Sequence, residues 1–117
     1  MKKIFYLKTC DTCKRILSVH DFSDFELQDI KSEPITANQL EEMKKLAGSY
    51  EALFSRRAKK YKQLGLKNQT LSEEQIKHYI LDDYTFLKRP VILDGKMIFI
   101  GSEKKNLVAL ANHLNNK

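Results

Sequence analysis

The spacing of apolar residues divides the chain into three stretches with different periods. Lys3 to Leu7 is a short apolar run rich in strand formers, which predicts a first strand. Asp11 to about Val19 follows at helical spacing, with Ile16, Leu17 and Val19 expected to face inward. Asp24 to Ile30 then alternates. Phe25, Leu27 and Asp29 fall on one face of a pleat and Glu26, Gln28 and Ile30 on the other, which predicts a second strand. A helical crossover between the two strands makes them parallel.

From Thr36 to Asp83 the apolar residues recur at helical spacing, and three or four short helices are expected. Thr36-Ala37-Asn38-Gln39 is a capping-box pattern ahead of Leu40, Met43 and Leu46, with Gly48 placed to stop the helix in a left-handed conformation. Ser72-Glu73-Glu74-Gln75 repeats the box before Ile76, Tyr79 and Ile80. Tyr50 to Tyr61 reads as a basic helix ended by Leu64-Gly65-Leu66. The remainder returns to strands. Val91-Ile92-Leu93 and Met97-Ile98-Phe99-Ile100 flank Asp94-Gly95, a hairpin signal. A closing helix is expected from an N-cap at Ser102, with Leu107, Val108, Leu110, Ala111 and Leu114 on one face. The order β-α-β, helical insert, β-β-α resembles the thioredoxin fold, an α/β architecture with a mixed four-stranded sheet. The expected division is a core of about residues 1–33 and 84–117 around an insert of about residues 34–83, all in one domain.

Composition narrows the function classes. The chain has 117 residues, 42% of them apolar, and carries 21 Lys+Arg against 15 Asp+Glu, for a formal charge of +6. A domain of this size buries roughly two-thirds of the surface its unfolded chain exposes, enough to fold without a disulfide staple or structural metal. The two cysteines are therefore available for chemistry. Apolar runs are too short for a membrane span or a signal peptide, and a lone pair of cysteines points to the reducing cytoplasm as the default compartment; a monomer is expected.

Cys10-Asp11-Thr12-Cys13 falls where the first strand ends and the first helix begins. Free backbone N–H groups and the helix dipole favour a thiolate there, which makes Cys10 a candidate nucleophile. Cys13, one turn inside, is a candidate resolving thiol for an adduct on Cys10, and the pair a candidate redox-active disulfide. Lys14 and Arg15 add positive charge. The alternative is two small buried residues near a helix start. Zinc is disfavoured because the pair stands alone, and His20, His78 and His113 form no metal pattern. Arg56, Arg57, Lys59, Lys60 and Lys62 crowd around Tyr61. Such a cluster is a solvated helix face or a site for an oxyanion or acidic partner, and no nucleic-acid motif accompanies it, so direct nucleic-acid binding is not expected. Arg89-Pro90 precedes the third strand, and the residue before a proline is held extended.

Taken together, Tyr6 to Lys14, Arg56 to Leu66, Phe86 to Ile92 and Ile100-Gly101 resemble the ArsC/Spx family, which groups glutaredoxin-coupled arsenate reductases with the Spx transcriptional regulators. The resemblance implies that Cys10 is the attacking cysteine and that Arg89 and an insert arginine, Arg57 or with a one-residue shift Arg56, hold an oxyanion. It implies that Pro90 is cis, facing the cysteine and shaping the substrate groove, with Thr12 and Lys14 beside the anion. It implies no bound cofactor, with glutathione, glutaredoxin or thioredoxin as electron donor. The reductases carry a further arginine after the hairpin, whereas Met97 to Ser102 contains none. Cys13 is instead a feature of the Spx branch, in which a C-x-x-C switch governs binding to RNA polymerase, at the C-terminal domain of its α subunit, and an insert glycine, here nearest Gly48, takes part. The preferred expectation is a thiol-dependent oxidoreductase, and the alternative is a redox-sensing regulator.

Overall fold

The computed structural model describes residues 1–116; Lys117 lies outside them. The described residues form two compact units, one of residues 1–33 and 89–116 and one of residues 34–88.

The first unit holds strands β1 (Lys2–Tyr6), β2 (Glu26–Asp29), β3 (Val91–Asp94) and β4 (Met97–Ile100), with helices α1 (Asp11–Val19) and α5 (Lys104–Asn115). The sheet order is β2-β1-β3-β4. β1 pairs parallel with β2 and antiparallel with β3, and β3 pairs antiparallel with β4, so the sheet is mixed as expected. Ile4, Ile16, Phe25, Ile92, Phe99 and Leu110 make its buried core, flanked by Tyr6, Leu17, Phe22, Leu107 and Leu114.

Three local expectations need correction. Val19 and Val108 are 66% and 51% exposed, because they fall off the stripes set by Cys13, Ile16 and Leu17 in α1 and by Leu107, Leu110 and Leu114 in α5. On the edge strand β2, Leu27 faces solvent while Gln28 is buried and donates through Nε2 to the Glu33 carbonyl, 3.0 Å. Asp94 pairs with Met97, so the hairpin turn is Gly95-Lys96 rather than Asp94-Gly95. Of these two turn residues only Gly95 has positive φ, 61°, the requirement at the first position of a type II′ turn. Glu103, not Ser102, occupies the N-cap of α5. Asn106 fixes that junction instead: its Oδ1 accepts from Ile100 N–H, 3.1 Å, and its Nδ2 donates to the Gly101 carbonyl, 2.9 Å.

The second unit contains α2 (Ala37–Ala47), α3 (Lys59–Gln63) and α4 (Glu73–Asp82), with 3-10 turns at Glu51–Leu53, Leu66–Asn68 and Tyr84–Phe86. Both capping boxes form, Thr36 with Gln39 and Ser72 with Gln75, and Gly48 ends α2 at φ 95°. The basic helix expected over Tyr50 to Tyr61 is broken. After the first 3-10 turn, Phe54 bridges to Leu87, and the Ser55 N–H donates to the Phe86 carbonyl at 2.7 Å, which takes the chain out of helical conformation until Lys59. The gain is aromatic packing: Phe54 stacks on Phe86 with ring centroids 5.4 Å apart, and Tyr79 tilts onto Phe86 at 5.5 Å. Removing the Ser72 cap in Ser72→Ala is expected to cost about 1 kcal/mol, read as a lowered urea midpoint with unchanged slope. Among the described residues no helix is long and apolar enough to cross a membrane.

Candidate functional site

Strand β1 ends at Tyr6, and the chain turns sharply before α1. The Cys10 N–H donates to the Leu7 carbonyl at 3.0 Å, closing a four-residue turn, and the Cys10 carbonyl accepts from the Lys14 N–H at 3.0 Å as the first bond of the helix. Cys10 is therefore the N-cap of α1, extended at φ −86° and ψ 117°, and partly exposed. Its thiol makes no formal capping bond. Burial pushes the Cys10 pKa up, but the backbone N–H and thiol of Cys13, the backbone N–H of Thr12 and the Arg89 charge together outweigh it and hold the thiol below the ordinary cysteine value.

Cys13 sits on the inward stripe of α1 and is fully buried. Its pKa is pushed up to about 11, chiefly by burial and further by the neighbouring Cys10 charge and the hydrogen bond to Cys10, against a lowering backbone hydrogen bond with Leu7 and the Arg89 charge. The two sulfurs thus differ in acidity, with Cys10 the more readily ionised and the Cys13 thiol placed to donate toward it. Both cysteines are free thiols.

Arg89 is half-buried, and its charge acts on both sulfurs. The Arg89-Pro90 peptide is cis. Pro90 is buried, and its carbonyl accepts from the Gly101 N–H at 2.8 Å, so the segment entering β3 is tied to the end of β4. Thr12 is half-buried, whereas Lys14 is exposed.

The other cationic candidates belong to the second unit. Arg56 pairs with Glu51 at 3.1 Å, with its guanidinium carbon 5.8 Å from the centre of the Phe54 ring, and the Glu51 and Tyr61 contacts raise its pKa further. Arg57 is exposed, and Lys60 pairs with Asp83 at 3.1 Å. Among the described residues, no group of three or more His, Cys, Asp or Glu side chains is arranged to hold a metal ion.

One residue next to the cysteine turn gives no signal in the sequence. Asp29, the last residue of β2, stands opposite Tyr6 in the ladder. Its Oδ1 accepts from the Lys8 N–H at 2.9 Å, and its Oδ2 from the Ser32 hydroxyl at 2.8 Å. An aspartate at the end of a strand is unremarkable by spacing, and only the strand register brings it to the turn.

The fold has known counterparts. An arsenate reductase from Vibrio cholerae superposes with a TM-score of 0.77 at 13% identity, over 92% of this chain and 95% of that one. The solution structure of SACOL0876 from Staphylococcus aureus COL is 30% identical, with a TM-score of 0.72 over 91% of this chain and 94% of that one. In sequence, the global transcriptional regulator Spx of Lactiplantibacillus plantarum is 28% identical over 102 residues, which is 84% of this chain and 76% of that protein. The ArsC family model matches residues 5–110, from β1 through most of α5. With the α/β fold, the four-stranded mixed sheet and nearly the whole length in agreement, the chain belongs to the ArsC family.

Proposed function

We propose that the protein is a thiol-dependent oxidoreductase in which Cys10 is the nucleophile. The observation that carries this reading is the division of labour between the two thiols: a partly exposed N-cap sulfur held below the ordinary pKa, beside a buried one held near 11. At neutral pH only the first is set up to attack.

With a disulfide substrate, the Cys10 thiolate forms a bond to one substrate sulfur and the other leaves as a thiolate. Attack by Cys13 on the Cys10 sulfur then forms the Cys10–Cys13 disulfide, expels the second substrate thiol and releases the Cys13 proton. Two electrons pass to the substrate, and glutathione, glutaredoxin or thioredoxin returns them. With arsenate as substrate, Cys10 displaces a hydroxyl from arsenic(V), and a second thiol closes a disulfide as arsenite leaves. Arg89 stabilises the bound anion through its planar fork, and the Thr12 N–H completes the pocket. Formation of the mixed disulfide also removes the charge and the hydrogen-bond acceptor on Cys10 that help raise the Cys13 pKa, so the second thiol becomes easier to ionise only once the first has reacted.

The test couples glutathione or glutaredoxin oxidation to arsenate and to a panel of disulfides, beside alkylation of Cys10 against pH. Arg89→Ala is expected to raise the alkylation midpoint and to slow turnover roughly tenfold or more by loss of a charged partner. Absence of turnover with every acceptor would defeat the enzyme reading.

The likeness to Spx regulators, together with the Cys10-Cys13 pair, favours a second reading: a redox sensor whose disulfide alters binding to the C-terminal domain of the RNA polymerase α subunit. Titration of that domain with the reduced and the oxidised protein decides it. Equal or undetectable affinity in the two states removes this reading.

A further inference from the structure

The β1–β2 ladder ends at the pair Tyr6–Asp29, with the Ile30 N–H donating to the Tyr6 carbonyl at 2.9 Å. Beyond it the backbones diverge, β1 into the turn that carries Cys10 and β2 into a turn in which the Glu33 N–H donates to the Asp29 carbonyl at 2.8 Å. Lys8 is the second residue of the cysteine turn and is past the reach of any strand partner. Its N–H is met instead by the Asp29 carboxylate, so a side chain supplies the rung that the missing strand would have supplied. The second carboxylate oxygen is held from the opposite side by the Ser32 hydroxyl at 2.8 Å and, at 3.4 Å, by the Ser32 N–H.

We infer that Asp29 is a positioning residue for Cys10: through the Lys8 N–H it locks the turn that sets the Cys10 sulfur against the first backbone N–H groups of α1. The inference rests on the reading of Cys10 as the reactive thiol and names what holds it in place. Three physical points support it. Among the described residues the backbone bond closing the turn is Cys10 N–H to the Leu7 carbonyl, and the turn is tied outward at two points, Leu7 N–H to the Cys13 sulfur and Lys8 N–H to Asp29, so the loss of the Asp29 anchor has a large share in loosening it. The anchor is a charged acceptor, and bonds of that kind are roughly twice as strong as neutral ones. The anchor is itself oriented, because the Lys8 N–H holds one carboxylate oxygen and the Ser32 hydroxyl the other, bonds that also hold the Asp29 pKa below the usual carboxylate range. A sulfur displaced from the helix end loses the N–H groups that favour its thiolate, whereas its burial and the Arg89 charge depend on other parts of the chain.

The test uses the full chain with two readouts, hydrogen exchange at the Lys8 amide and alkylation of Cys10 against pH, resolved from Cys13 by peptide mass. Asp29→Ala is expected to speed Lys8 exchange roughly tenfold and to move the Cys10 midpoint up toward the ordinary thiol value, with thermal unfolding still cooperative. Asp29→Asn, which keeps an oxygen for the Lys8 N–H but not the charge, is expected to fall between wild type and Asp29→Ala in both. Profiles unshifted in Asp29→Ala, or shifted as far in Asp29→Asn as in Asp29→Ala, overturn the inference. Should Asp29→Ala fail to fold, Ser32→Ala probes the same anchor from its outer side: Lys8 exchange roughly threefold faster supports it, and an unchanged rate overturns it. If wild-type Cys10 titrates as an ordinary thiol while Lys8 exchange still responds to Asp29, the reading of Cys10 as an activated nucleophile fails and the anchor stands.

Discussion

Cys10→Ser is expected to abolish thiol-coupled turnover, with a loss on the order of a thousandfold or more, while the melting temperature stays near that of the wild type. Serine is close to cysteine in size, and the N-cap favours it locally, so the fold has no reason to suffer. What disappears is the ionisable sulfur, since a hydroxyl is not deprotonated by two backbone N–H groups and one arginine at neutral pH. Cys13→Ser behaves differently: attack proceeds, and the adduct on Cys10 persists long enough to be seen by mass spectrometry without reductant. The pH dependence has a definite sign. Cys10 ionises below the ordinary cysteine pKa and Cys13 only at about 11, so the rate of the first attack rises as pH climbs through the Cys10 value and is level between the two. A profile rising only at about pH 11 would place the nucleophile on Cys13 instead.

Ile92→Ala is expected to destabilise the protein by about 2–5 kcal/mol. Ile92 is 1% exposed, stands opposite Ile4 on β1 and Phe99 on β4, and belongs to the core cluster with Ile16 and Leu110. Truncation removes three carbons where neighbours on two strands and two helices are already fixed, so collapse around the cavity is limited. At about 4 °C per kcal/mol for a chain of this size, the melting temperature should fall by roughly 8–20 °C. Differential scanning calorimetry on reduced protein checks it. A drop below about 3 °C would mean that the sheet is packed far more loosely than its burial implies.

Much of this architecture is legible in the sequence because it is specified locally. Thr36 with Gln39 and Ser72 with Gln75 announce their helices through bonds made within four residues, and Gly48 announces its stop. The cysteine pair is legible for the same reason, since a strand followed at once by a helix fixes where Cys10 lies whatever surrounds it. What escapes is set by partners far along the chain. The break after Leu53 depends on Leu87, and the exposure of Leu27 depends on β2 being an edge, which no residue within β2 declares. The role of Asp29 depends on register with Tyr6, more than twenty positions away. Arg56 likewise has partners that the basic cluster does not announce, Glu51 at 3.1 Å and the Phe54 ring at 5.8 Å.

The sheet order carries a consequence for the birth of the chain. β1 is an inner strand, yet its second neighbour β3 begins at Val91, and the residues of the second unit are all synthesised in between. A ribosome therefore releases β1, α1 and β2 long before Ile92, Phe99 and Leu110 exist to cover Ile4 and Ile16. During that interval Cys13 lacks the surroundings that bury it, and Cys10 lacks the Arg89 charge. The difference in acidity between them is thus acquired late, on arrival of the last thirty or so residues, and a nascent chain halted before β3 carries the motif without its chemistry.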